Sequence, residues 1–151
     1  MISNFNPSEY VGKWYEAARS RNSFQRWCQY SQTTYELLSD GNIGIVNECT
    51  RGEKHHQVKA QAYHEGHGKF VVGMSLFGPF QWIVELFKIG DINYDILDTD
   101  YKSYSVVGSP GSGYWWILSR DEKLMNIESH LETLSQNGYD VSTVVRRGEI
   151  Q

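Results

Sequence analysis

Only a few side chains in this sequence are of a type and spacing that could do chemistry. Four histidines crowd one stretch: His55 and His56, then His64 and His67 three apart in "HEGHG". A zinc hydrolase needs two imidazoles one helical turn apart on a single face, and the glycines here describe a hairpin instead. A solvated turn is expected, with no metal site. Glu16, in "GKWYEAAR", shares the alternating parity of Trp14 and Ala18. A carboxylate pointed into an apolar interior is costly unless it is hydrogen-bonded or protonated. It would pair with a tyrosine hydroxyl such as Tyr94 or with Asn47, or it would meet the head group of a ligand. Cys28 and Cys49, the two cysteines, allow one bridge or two free thiols. No Ser-His-Asp set, phosphate loop or carboxylate pair is discernible, so no catalytic residue is expected.

The totals narrow the classes further. With 151 residues the chain fits one domain. A net charge of −4 argues against a phosphate-binding surface, so no nucleic-acid partner is expected. The mean hydropathy is −0.52 and no run of eighteen apolar residues occurs, which excludes a membrane-spanning helix. The opening "MISNFNPSEY" lacks the apolar stretch of a secretory signal. The chain is therefore expected inside the cell or at a membrane periphery, or as an exported protein whose signal Met1 replaces.

These groups need elements to position them. "SDGN", "EGHGK", "GDIN", "DTDYK" and "SPGSG" punctuate runs rich in Val, Ile, Tyr, Trp and Thr, a pattern of antiparallel strands. Asp40-Gly41 is a strong hairpin signal. Alternation then sorts the strand residues into faces. Thr33, Tyr35 and Leu37 share one, answered by Ile43, Ile45 and Asn47. Val58, Ala60 and Ala62 share another, and Phe70, Val72, Met74 and Leu76 a third. Ile92, Tyr94 and Ile96 follow, then Ser105 with Val107. In "YWWILS", Tyr114, Trp116 and Leu118 face one way and Trp115 and Ile117 the other. That last strand is apolar on both sides, so something must cover its outside. The cover is the one convincing helix, about 121–138, with Leu124, Ile127, Leu131 and Leu134 as its stripe and Gly138 at its end. "STVVRR", about 142–147, reads as a short edge strand.

Eight strands between about 12 and 120 make an all-β, eight-stranded antiparallel up-and-down barrel of a size that holds one small ligand. Small inward residues such as Ala18, Ala60 and Ala62 would leave a cavity. Its lining is expected from Glu16, Ala18, Tyr35, Ile45, Ala60, Ala62, Val72, Met74, Tyr94, Tyr114 and Trp116.

At this point the chain resembles a lipocalin. "GKWYEAAR" is similar to the family's opening Gly-x-Trp motif, "TDYKSY" to its Thr-Asp-Tyr motif, and "WILSR" to its closing arginine motif. All three stand in order, with the helix after them. "WYEAAR", "LFGPF" and "YWWILSR" carry a finer likeness, to the branch of bacterial outer-membrane lipocalins, apolipoprotein D and plant temperature-induced lipocalins. The resemblance implies that Gly12, Trp14, Thr99, Asp100, Tyr101 and Arg120 are structural. Trp14 would close one end of the barrel and Arg120 would lie across its indole. It further implies a carrier of a small hydrophobic molecule, a fatty acid, lysophospholipid or similar, without a cofactor, acting as a monomer or weak homodimer. The segment "FGPFQWIVELFKIGD" would form the open mouth, with Phe80, Trp82, Ile83, Leu86 and Phe87 as a contact surface for lipid or membrane. Two alternatives stay open: a lipocalin-type isomerase using Cys28 or Glu16, and a protein-interaction module with a filled barrel.

Overall fold

Backbone turns decide which strands meet. A computed structural model describes residues 2, 4–23, 25–73, 92–123 and 126–151. A short helix α1 (Pro7–Tyr10) leads into β1 (Gly12–Arg19). Then follow β2 (Tyr30–Leu37), β3 (Ile43–Arg51), β4 (Lys54–Gly66), β5 (Lys69–Gly73), β6 (Ile92–Thr99), β7 (Tyr104–Gly108) and β8 (Trp115–Ser119). Each pairs antiparallel with the next, and β8 returns to β1, which also pairs β2 and shuts the ring. The result is a closed eight-stranded antiparallel barrel. Helix α2 (Glu128–Gln136) packs outside, and β9 (Val145–Arg146) adds to β1 at Ala18 and Arg19.

The β2–β3 connection is wider than the Asp40-Gly41 signal implies. Leu37 pairs Ile43, leaving a five-residue loop, 38–42, closed by the Leu38 N–H donating to Asn42 O and by the Asp40 carboxylate accepting the Asn42 N–H. The register therefore sets Asn47 opposite Thr33, and Cys49 opposite Ser31. A hairpin centred on Asp40-Gly41 would have put Cys49 near Thr33. Leu37, at the strand's end, is exposed rather than inward.

Two apolar layers follow from strand alternation. Inside are Trp14, Ile43, Ile45, Ala60, Ala62, Phe70, Ile96, Val107, Trp116 and Leu118. Outside lie Trp115, Ile117 and Val106, packed against Leu134 of α2 and Ile127 at its N-terminal end, the helical cover that the doubly apolar β8 demands. A second inward assignment, that of Ala18, also fails. A bulge in β1 pairs Glu16 with Leu118 but Ala18 with Ile117, so parity flips between them. Ala17 and Ala18 both join the outer layer beneath the helix.

Helix α2 is also shorter than 121–138. The Asp121 carboxylate accepts the Lys123 N–H and the Asn126 side chain accepts the Glu128 N–H, local bonds that compete with a helical start on either side of residues 124–125, which lie outside the described residues with Leu124 of the expected stripe. Glu122 is left to pair Arg147 instead of sitting on a helix N-terminus. Leu134 O accepts the Tyr139 N–H and Gly138 takes φ +87°, ending the helix where expected. The terminal strand contracts to two residues. Beyond it the Arg147 N–H donates to Ala17 O, and its guanidinium donates to Ser31 O at 2.8 Å, stitching β1 to β2 where their ladder has ended.

The expected motif residues assemble at one end. The Arg120 guanidinium lies 3.8 Å from the Trp14 ring centroid. It also donates to the carbonyls of Glu9, Tyr10, Val11, Lys13 and Tyr101. Gly12 sits at φ +104°, and a Cβ there would stand 3.0 Å from Arg120 Nη1, so both conformation and space require glycine. Thr99 Oγ1 bonds Tyr104 O and accepts the Tyr101 N–H. The Asp100 carboxyl falls to about 2: the slight burial that would raise it is outweighed by hydrogen bonds from the Ser103 hydroxyl and the Tyr104, Ser103 and Lys102 amides.

Candidate functional site

The floor of the barrel is filled from outside the strands. Phe5 and Tyr10, from the segment before β1, insert among the inner residues. Phe5 contacts Tyr10, His64, Phe70 and Tyr101 at ring separations of 5.2–5.7 Å. The Tyr10 hydroxyl bonds Ser105 Oγ at 2.7 Å, and Tyr10 O accepts the Trp14 indole N–H at 2.9 Å. Ile45, Ala60 and Ala62 belong to this packed cluster, and Tyr114 lies against it. The alanines that read as cavity walls make room for aromatic rings instead. Val72 is described by backbone only, and Met74 lies outside the described residues.

Free space remains toward the other end, in a cavity of about 50 Å³. Of the lining expected from sequence, Glu16, Tyr35, Tyr94 and Trp116 border it, joined by Leu118 on β8. Tyr94 stacks on Trp116 with centroids 5.1 Å apart and planes 17° apart. The polar wall comes from β2, β3 and the β1–β2 loop: Thr33, Asn47, Glu48 and Gln25 among others.

Gln25, which no sequence signal singled out, organises the site. Its amide Nε2 donates to Glu16 Oε2 at 2.8 Å, and its Oε1 accepts the Trp116 indole N–H at 2.7 Å. Asn22 holds it from behind through its own side chain and the Gln25 N–H. Arg19, itself 3% exposed, places its Nη1 3.5 Å from Glu16 Oε1. Glu16 thus takes Gln25 and Arg19 as partners, not Tyr94 or Asn47. Burial lifts its carboxyl above the usual range, with Arg19, the Gln25 amide and Arg147 pulling the other way. Tyr35 is pushed up to about 12 by burial and, less, by the Glu16 charge, while the Thr33 hydroxyl eases it. Burial likewise raises Tyr94, with Tyr35 and Glu16 beside it adding to the effect.

Cys28 and Cys49 form a disulfide at the cavity edge, tying the loop that carries Gln25 to β3. As half of a bridge Cys28 offers no thiolate, which leaves Glu16 as the group that the isomerase alternative would use. Among the described residues no group of His, Cys, Asp and Glu could hold a metal. The histidines are used elsewhere: His64 stacks on Phe70, and His55 Nε2 lies 3.8 Å from Glu48. Phe80, Trp82, Ile83, Leu86 and Phe87 lie outside the described residues.

A lipocalin-like domain matches residues 5–149, nearly the whole chain. The protein belongs to the lipocalin family. The outer membrane lipoprotein Blc of Vibrio cholerae is 30% identical over 95% of this chain and 82% of that protein. Temperature-induced lipocalin-1 of Arabidopsis thaliana is 30% identical over 94% of this lipocalin and 78% of its own length. Apolipoprotein D of mouse is 30% identical over 91% and 74% respectively. In structure the lipocalin superposes on the cockroach allergen Per a 4 with a TM-score of 0.72 at 18% identity, covering 97% of this chain and 90% of the allergen. Insecticyanin of the tobacco hornworm gives the same score at 16% identity over 97% and 82%. These two speak for the barrel alone. The family supports a broad role in binding or transporting hydrophobic ligands, and its members are generally binding proteins rather than enzymes.

Proposed function

We propose that this lipocalin carries a single-chain amphiphile, a fatty acid, lysophospholipid or similar molecule, with its polar end in the cavity between β1, β2, β3, β6 and β8. The observation that carries this reading is the wall of Tyr35, Tyr94, Trp116 and Leu118 inside a closed barrel, next to a bonded set of polar groups. The cavity of about 50 Å³ takes the polar end, and each methylene of the tail that the protein covers beyond it would add about 0.8 kcal/mol gross. Ordering costs of several kcal/mol leave micromolar dissociation constants as the expected range. Titration with fatty acids and lysophospholipids should quench tryptophan fluorescence through Trp116, and protein purified without added lipid should retain a ligand in native mass spectrometry. A flat titration together with an empty mass spectrum would leave the interaction-module reading in its place.

The segment 78–91 supports a second element of this function by composition. Phe80, Trp82, Ile83, Leu86 and Phe87 with Lys88 suit the boundary between lipid head groups and acyl chains. One relative is named an outer membrane lipoprotein, which is in keeping with work at a membrane surface. Replacing both Trp82 and Phe87 by alanine is expected to cut cosedimentation with phospholipid vesicles severalfold. Unchanged cosedimentation would refute docking through this segment.

A further inference from the structure

We infer that the rim at the cavity end of the barrel is a docking surface for an anionic phospholipid bilayer, met by Arg21, Arg26, Arg51 and Lys54. The inference rests on the reading of the barrel as a carrier of lipid-like cargo, and it stands on two loops other than the segment 78–91.

Topology brings these cations together. Arg21 and Arg26 lie in the β1–β2 loop, and Arg51 and Lys54 flank the β3–β4 turn. Tyr30 pairs Thr50, so the start of β2 and the end of β3 share one end of the barrel. The Gln29 N–H donates to Thr50 O, and the Cys28–Cys49 bridge sets its two Cα atoms 5.4 Å apart. Arg26 stands two residues before one bridged cysteine and Arg51 two residues after the other. The bridge thus keeps both on one stretch of the rim. Gln25 and Cys28, on the same loop, wall the cavity directly beneath.

The charges are not spent on the protein itself. All four side chains are exposed, and among the described residues none of them forms an ion pair. Across residues 20–29 and 51–54 they face one carboxylate, Glu53. Of the acids nearby, Glu48 is held by Gln32 and Gln57, and Glu149 accepts the Arg146 N–H. The whole chain carries a net −4, so the remaining surface is more acidic still. Such a polarised molecule turns its basic end toward a negative surface.

Apolar side chains among the cations favour a bilayer over an acidic polypeptide. Tyr30 and Ile150 are each 43% exposed. The Gly148 N–H donates to Gln29 O and the Gln151 side chain to Asn22 O, which lays Ile150 along the β1–β2 loop. Trp27, half-buried, packs edge-on against His56 with centroids 4.6 Å apart. Arginine interleaved with aromatic and aliphatic groups suits the layer between lipid head groups and acyl chains. Cargo leaving that layer would meet the cavity end first.

The test is cosedimentation of the intact protein with vesicles of phosphatidylcholine, alone or mixed with phosphatidylglycerol. Binding to the mixed vesicles is expected to be about tenfold or more tighter. It should vanish near about 1 M salt, where the screening length is about 3 Å. Arg21→Gln with Arg26→Gln, and separately Arg51→Gln with Lys54→Gln, should weaken it about fivefold for each charge removed. Lys69→Gln with Lys102→Gln makes the same change in net charge at the opposite end and should alter binding less than about twofold. Equal binding to both kinds of vesicle overturns the inference and leaves the carrier reading, which the fluorescence titration tests, intact. An equal loss in the opposite-end variant also overturns it, since net charge alone would then suffice. Retention on immobilised polyglutamate with no binding to either vesicle overturns it as well, the partner then being an acidic polypeptide.

Discussion

Trp14→Ala is expected to lower the stability of the fold by roughly 3–5 kcal/mol, the largest single effect in the barrel. The indole is wholly buried, so truncation removes its apolar transfer energy and opens a hole that strand backbone cannot collapse to fill. Two further losses follow. Its N–H no longer reaches Tyr10 O, and the Arg120 guanidinium loses the ring it covers. Urea unfolding followed by far-ultraviolet circular dichroism measures the change. A loss below about 1 kcal/mol would mean that Phe5 and Tyr10 slide in to close the gap, and that Trp14 is no keystone.

Replacing Cys28 and Cys49 by serine should destabilise the protein by about 3 kcal/mol, from the chain entropy that a link across 21 residues removes from the unfolded state. For a chain of this length that corresponds to a fall in Tm of roughly 6–12 °C. Reducing the native protein should reproduce the shift. The local effect is more informative. Gln25 stands three residues before Cys28 and holds both Glu16 and the Trp116 indole. Freeing the loop should loosen that contact and change Trp116 emission in the folded protein, before any global unfolding. Identical emission in the bridged and unbridged proteins would assign the disulfide to stability alone.

Strand faces were the most legible feature of the sequence, because period-two alternation depends only on neighbours along the chain. The inward placement of Ile43, Ile45, Val107, Trp116 and Leu118 follows from that pattern, as does the outward row of Trp115 and Ile117. Helix α2 is legible as an element but not at its start, because the Asp121 and Asn126 side chains bond nearby amides in place of a helical ladder. Ala18 was misassigned because a bulge shifts parity by one residue, and nothing in "YEAAR" marks it. The candidate site was half legible. Glu16, Tyr35, Tyr94 and Trp116 come from strands whose parity could be counted. Gln25 comes from an irregular loop, and its partners lie 9 and 91 residues away, beyond the reach of local pattern. The disulfide was undecided for the same reason, since the path of that loop fixes whether the two sulfurs meet.

The aromatic pair ahead of β1 also governs depth. Alanines 60 and 62 widen the bore, and Phe5 with Tyr10 then stoppers it from below. The usable height of this vessel is thus written in a segment that forms no part of its staves. Trimming Phe5 would hollow the packed end without disturbing a single rung of the ladder, so room there can change in evolution while the wall stays as it is.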